Sequence, residues 1–166
     1  VPILALAETT KVLIANHSLN IQKVRSLWYS ALIVGGVVLL IWLVLLPFWR
    51  GFASLLNTNG EVVRFSLEAM AILIVPYILL ALNLVTDALF YGVGKTKYMA
   101  YQAILTNGIV YVIAFIAYMA KLWTPTFTSI LVLFSIGILV DSILTVFYAF
   151  RVLFPRNLVK LTPVIS

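Results

Sequence analysis

Long uncharged apolar runs, broken by short polar stretches, organise this chain. Ser26 to Trp49 is the clearest run, with 24 residues and no charge. At about 1.5 Å per residue it reaches roughly 36 Å, enough to cross a hydrocarbon layer of about 30 Å with tilt. Trp28, Tyr29 and Trp49 sit near its ends, as membrane-interface aromatics do. Gly35-Gly36 permits a close helix approach or a bend. Three more runs follow: Val62 to Tyr91, Tyr98 to Met119 and Phe127 to Phe154. Pro76 falls mid-run in the second, where it removes a backbone donor and predicts a kink lining a protein interior or cavity.

The remaining stretches read as connections. Residues 3–14 form a partial helix, and residues 15–25 (ANHSLNIQKVR) form a polar, basic interfacial segment. Residues 50–61 make a loop with its turn signal at Asn57 to Gly60. Residues 120–126 make a short turn, and residues 155–166 a basic tail begun by the helix-stopping Pro155. The expectation is an all-α, polytopic transmembrane bundle forming one membrane domain over residues 1–166. It has four full spans and starts inside a helix, as a piece of a larger protein would.

Composition removes the soluble alternatives. Of 166 residues, 64% are hydrophobic and 10% charged, against about half and a quarter in soluble domains. Cysteine is absent and His17 is the one histidine. Disulfide, thiolate and histidine-cluster metal chemistry are therefore excluded. No cofactor or metal is expected.

The net charge of +6 reads as topology, because the basic residues flank the apolar runs. Lys11, Lys23, Arg25, Lys95, Lys97, Arg151, Arg156 and Lys160 fall on one side; Arg50, Arg64 and Lys121 fall on the other. The positive-inside rule puts the larger set in the cytoplasm. A multi-pass protein of the plasma (inner) membrane with a cytoplasmic C-terminus is expected. Its partner is the lipid bilayer, not nucleic acid.

One motif invites nucleotide chemistry. Gly92-Val93-Gly94-Lys95-Thr96-Lys97 ends like a phosphate-binding loop, but the glycine required five residues before Gly94 is Leu89. The stretch reads instead as a tight cytoplasmic turn anchored by lysines. Among the acids, Glu68 is expected to pair with Arg64 one turn earlier. Asp87 is expected to pair with Lys95 and Lys97 near the interface. Asp141 falls at mid-membrane depth, where an ionisable group is costly and usually functional. Helical spacing puts Asn107 and Tyr111 on a face with Ala100, Ile104, Ala114 and Tyr118, and Asn107 shares Asp141's depth. Asp141, Asn107, Tyr111, Asp87 and Asn83 are the candidate ion and substrate pathway residues. Alternatively, Asp141 is helix glue bonded to Asn107 or Thr145. Enzyme chemistry is not expected: an intramembrane aspartyl protease needs two aspartates at one depth, and Asp87 and Asp141 differ.

The order of features resembles the C-terminal half of a multidrug and toxic compound extrusion (MATE) transporter. It has a polar-basic segment, a span, a span with a central proline, a Gly-x-Gly-x-Thr-basic turn and two more spans. The family turn often reads Gly-Ala-Gly-Asp-Thr-Arg, and Tyr98-Met99 follows much as an aromatic or proline and methionine do there. Glycines expected around residues 13–18 are absent, Lys95 replaces the acid, and Leu80 stands where some members bind a cation. The resemblance implies a cation-coupled (Na⁺ or H⁺) antiporter exporting amphipathic, drug-like small molecules by alternating access, completed by the parent transporter's remaining helices. A lipid-linked-oligosaccharide flippase of the same superfamily, or a non-catalytic subunit or scaffold, stay open.

Overall fold

The computed structural model describes residues 2–155, so the expected tail, with Arg156 and Lys160, lies outside the described residues. The elements in order are α1 (Pro2–Ala15), α2 (Ile21–Leu45), a 3-10 turn (Leu46–Phe48), α3 (Trp49–Leu56), α4 (Gly60–Gly92), α5 (Lys97–Thr106), a π-helical segment (Asn107–Tyr111), α6 (Val112–Met119) and α7 (Phe127–Leu153). Four helical stretches are long and apolar enough to cross a membrane. Each matches one of the runs expected from the sequence.

Boundaries moved where caps outweighed hydropathy. Asn20 accepts a hydrogen bond from the Lys23 N–H at 3.1 Å, so α2 begins within the segment read as interfacial. Residues 50–56, expected as loop, lie in α3, an amphipathic helix held to α4 by Trp49 Nε1 donating to Ser66 Oγ at 3.1 Å. The helix runs unbroken through Pro76, which is buried. The missing N–H there leaves the Ile72 carbonyl without its usual in-helix donor.

Both tight turns end helices in the same way. After α4, Lys95 N–H reaches the Phe90 carbonyl (2.8 Å) and Gly94 N–H the Tyr91 carbonyl (3.2 Å). Gly94 takes φ +69°. This paired capping needs a left-handed residue at that position. After α6, Leu122 and Lys121 make the same two bonds to Ala117 and Tyr118, with Lys121 at φ 56°. Thus GVGKTK is a helix cap, as the turn reading expects, and Thr96 begins the next helix.

Helix α4 is the hub. It packs against α1, α2 and α7, while α5 and the π segment pack on α7. The apolar core gathers at one end, where Ile14, Val24, Trp28, Leu89, Phe90, Ala149, Val152 and Leu153 meet. Arg25 fastens α2 to the end of α7, its Nε and Nη2 donating to the Leu153 carbonyl at 2.8 and 2.6 Å. Lys11, Lys23, Arg25, Lys95, Lys97 and Arg151 therefore share one end of the bundle, as the charge count grouped them.

Gly92 sets the closeness of α1 and α4. A methyl group there would stand 2.6 Å from Ile14 Cγ2 and 2.9 Å from the Lys11 carbonyl oxygen. Gly36, by contrast, faces open space. Gly92→Ala should destabilise the fold by about 1–3 kcal/mol through overpacking against backbone. Gly36→Ala should be neutral or slightly stabilising. Equilibrium unfolding in detergent distinguishes the two, and equal stabilities would remove Gly92 as the contact point.

Candidate functional site

Polar side chains from three helices meet inside the apolar bundle. α4 contributes Asn83 and Thr86; α7 contributes Asp141, Ser142 and Thr145; α5 contributes Gln102 and Thr106. All but Asp141 are buried, and Asp141 is partly buried. Asp141 lies one residue past the midpoint of the 27-residue α7. Twelve residues separate it from Leu153, or about 18 Å along the axis.

Asn83 is the link. Its Nδ2 donates to Asp141 Oδ2 at 3.2 Å and to Ser142 Oγ at 2.9 Å. Ser142 Oγ donates in turn to the Ile138 carbonyl at 2.7 Å. One turn away Gln102 and Thr145 are hydrogen-bonded. With the Gln102 amide oxygen accepting from Thr145, its nitrogen donates to the Tyr98 carbonyl at 3.3 Å. Trp28 Nε1 donates to Thr86 Oγ1 at 3.4 Å, bringing α2 into the network.

Two groups keep unused capacity. A carboxylate can accept about four hydrogen bonds, and Asp141 accepts one from the described residues that meets hydrogen-bond geometry. Thr106 Oγ1 is buried beside the Asp141 carboxyl, to which it makes no more than a weak hydrogen bond. A buried hydroxyl left unpaired costs about 1–3 kcal/mol. Oxygen donors and a carboxylate with spare lone pairs, facing one another in an apolar span, suit a proton, a hard cation or water.

The candidates divide on inspection. Asn83 and Asp141 come together. Asp87 lies in a small cavity of 180 Å³ with Glu8, Lys11, Tyr91 and Met99, facing α1. It does not pair with Lys95 or Lys97; among the described residues the ion pair is Glu8–Lys11. Likewise Glu68 accepts from the Thr128 hydroxyl at 2.5 Å, and Arg64 lies over the Phe65 ring instead of pairing with Glu68. Tyr111 reaches α7 one turn from Asp141, where its hydroxyl packs so closely on Gly137 that no methyl would fit.

Asn107 is a correction. It is exposed, and its Nδ2 donates to the Ala103 carbonyl of its own helix at 2.7 Å. The buried face carries Gln102, Thr106 and Val110, not the Ala100–Ile104–Asn107 face expected. Thr145 bonds Gln102, not Asp141. Gln102, Thr106 and Ser142 were missed, although Gln102 and Thr106 form an i,i+4 polar pair in an apolar span. A cavity of 680 Å³ between the π–α6 stretch and α7 is lined by groups such as Ile113, Ala117 and Leu133, and by no charged side chain among the described residues.

Four helices long and apolar enough to cross a membrane make this a multi-pass membrane protein. A MatE family model matches residues 15–116. The chain belongs to the MatE family, whose members are transporters and not enzymes. No curated protein and no solved structure matches the chain.

Asn83→Leu should cost about 1–3 kcal/mol, because Asp141 and Ser142 lose their donor. Asn107→Ala should stay within about 0.5 kcal/mol. Unfolding in detergent measures both. Equal losses would restore Asn107 to the network.

Proposed function

We propose that the chain is part of a cation-coupled secondary antiporter, driven by Na⁺ or H⁺, that exports amphipathic, drug-like compounds by alternating access. The observation that carries the coupling is the Asp141–Thr106 pairing of spare acceptor capacity with a weakly bonded buried hydroxyl, held at mid-span by Asn83. A structural carboxylate would be expected to have its bonds filled, since each unfilled one costs free energy in an apolar surround. On this reading Asp141 binds the coupling ion, Asn83 orients the carboxylate, and Thr106 offers a further oxygen. The helices that complete the transporter supply the other wall of the cargo route. No basic side chain joins the cluster, which favours a cationic or neutral cargo over a pyrophosphate-bearing lipid.

The test uses the intact parent protein in liposomes, with an imposed Na⁺ or H⁺ gradient and efflux of a fluorescent cation. Asp141→Asn should leave the fold intact and lower gradient-driven transport by at least about tenfold, the effect of losing roughly 1.4 kcal/mol of ion binding. Thr106→Val should weaken ion dependence less severely. Transport by Asp141→Asn at the wild-type rate would make the aspartate helix glue. A wild type that moves no such cation under either gradient would bring the flippase or scaffold reading forward.

A further inference from the structure

A second polar cavity opens at the basic end of the bundle. It measures 540 Å³ and is lined by Tyr98, Phe147, Phe150, Arg151, Phe154 and Pro155. The α7 members are spaced three and four apart, so they form one stripe on that helix. Among the described residues no carboxylate lines it. The aromatic wall is ordered by stacking: Tyr98 on Tyr148 with centroids 4.9 Å apart, and Phe150 on Phe154 at 5.7 Å.

Three cations stand over this wall. Arg25 lies 4.1 Å from the Phe154 centroid, with its donors committed to the Leu153 carbonyl. It seats the wall. Arg151 lies 5.0 Å over Phe147, and Lys97 lies 5.5 Å over Tyr98. Both are exposed, and neither has an ion-pair partner among the described residues. Away from this rim, exposed Phe147, Val146 and Ile143 continue along α7, and Tyr101 and Ile104 along α5. Unspent cations at a rim, aromatics below them and an apolar lane beyond match an amphiphile with an anionic head.

We propose that this cavity seats the phosphate of an anionic glycerophospholipid, held by Arg151 and Lys97, with an acyl chain along the lane on α7. A free phosphate has no use for the lane. A cationic cargo would be repelled at the rim. The site therefore stands apart from the Asp141 cluster and does not depend on its role.

The experiment takes the full-length protein, delipidated in detergent, and measures retained lipid by native mass spectrometry. Phosphatidylglycerol is compared with phosphatidylcholine of the same chains. Phosphatidylglycerol should be held at concentrations where phosphatidylcholine is lost. Arg151→Gln and Lys97→Gln should each weaken it about fivefold, the effect of one interfacial cation. Arg151→Lys should retain most of the preference, and Arg50→Gln, at the other end, should change nothing. Melting in phosphatidylcholine nanodiscs confirms that each variant folds; should a glutamine variant melt early, the comparison rests on Arg151→Lys against wild type with both lipids. Equal retention of the two lipids, or unchanged phosphatidylglycerol binding in the double glutamine variant, overturns the proposal. Displacement by excess glycerol 3-phosphate also overturns it, and marks a small-anion site instead.

Discussion

Inside a bilayer, apolar burial gives little reason for one helix to prefer another, since lipid tails are as apolar as leucine. Association has to come from close packing and from hydrogen bonds between spans. This chain uses the two at different levels of one helix. At the end of α4, Gly92 lets the backbone of α1 approach at the level of Lys11 and Ile14. About two and a half turns earlier, Asn83 reaches across to Asp141 and Ser142 of α7. The position of α7 relative to α1 follows from these two contacts on a shared helix.

The sequence carried the spans well because their signal is length and apolarity, which no tertiary contact overrides in lipid. The GVGKTK turn was also legible, since Gly94 supplies the left-handed residue that the cap requires. What failed was rotational register. The face expected to turn inward ran through Ala100, Ile104 and Asn107, and α5 is a regular helix up to Thr106, so the choice of face was wrong before the π-helical segment at Asn107–Tyr111 begins. Gln102 and Thr106, before that segment, take the α7-facing positions. Pairings of charges failed for another reason. Spacing alone allows Arg64–Glu68, yet a neighbouring hydroxyl and an aromatic ring were closer competitors.

The two ends of the bundle differ in how firmly they are held. The basic end has the apolar core, the Arg25 clasp on α7 and the stacked tyrosines. The opposite end is joined by single side-chain contacts: Trp49 to Ser66, Phe65 beside Phe127 at 5.0 Å, and Thr128 to Glu68. The Asp141 cluster sits between them, and the π segment lies beside it on the loosely held side. Single π-helical turns inside α-helices recur at functional sites. Changing the charge at Asp141 alters what Thr106 and Asn83 can bond. Thr106 adjoins the π-helical segment, where the third span already departs from regular α-helix. On the proposed reading, the chemistry of the carboxylate acts beside the π-helical segment, where a two-state transport element would need it.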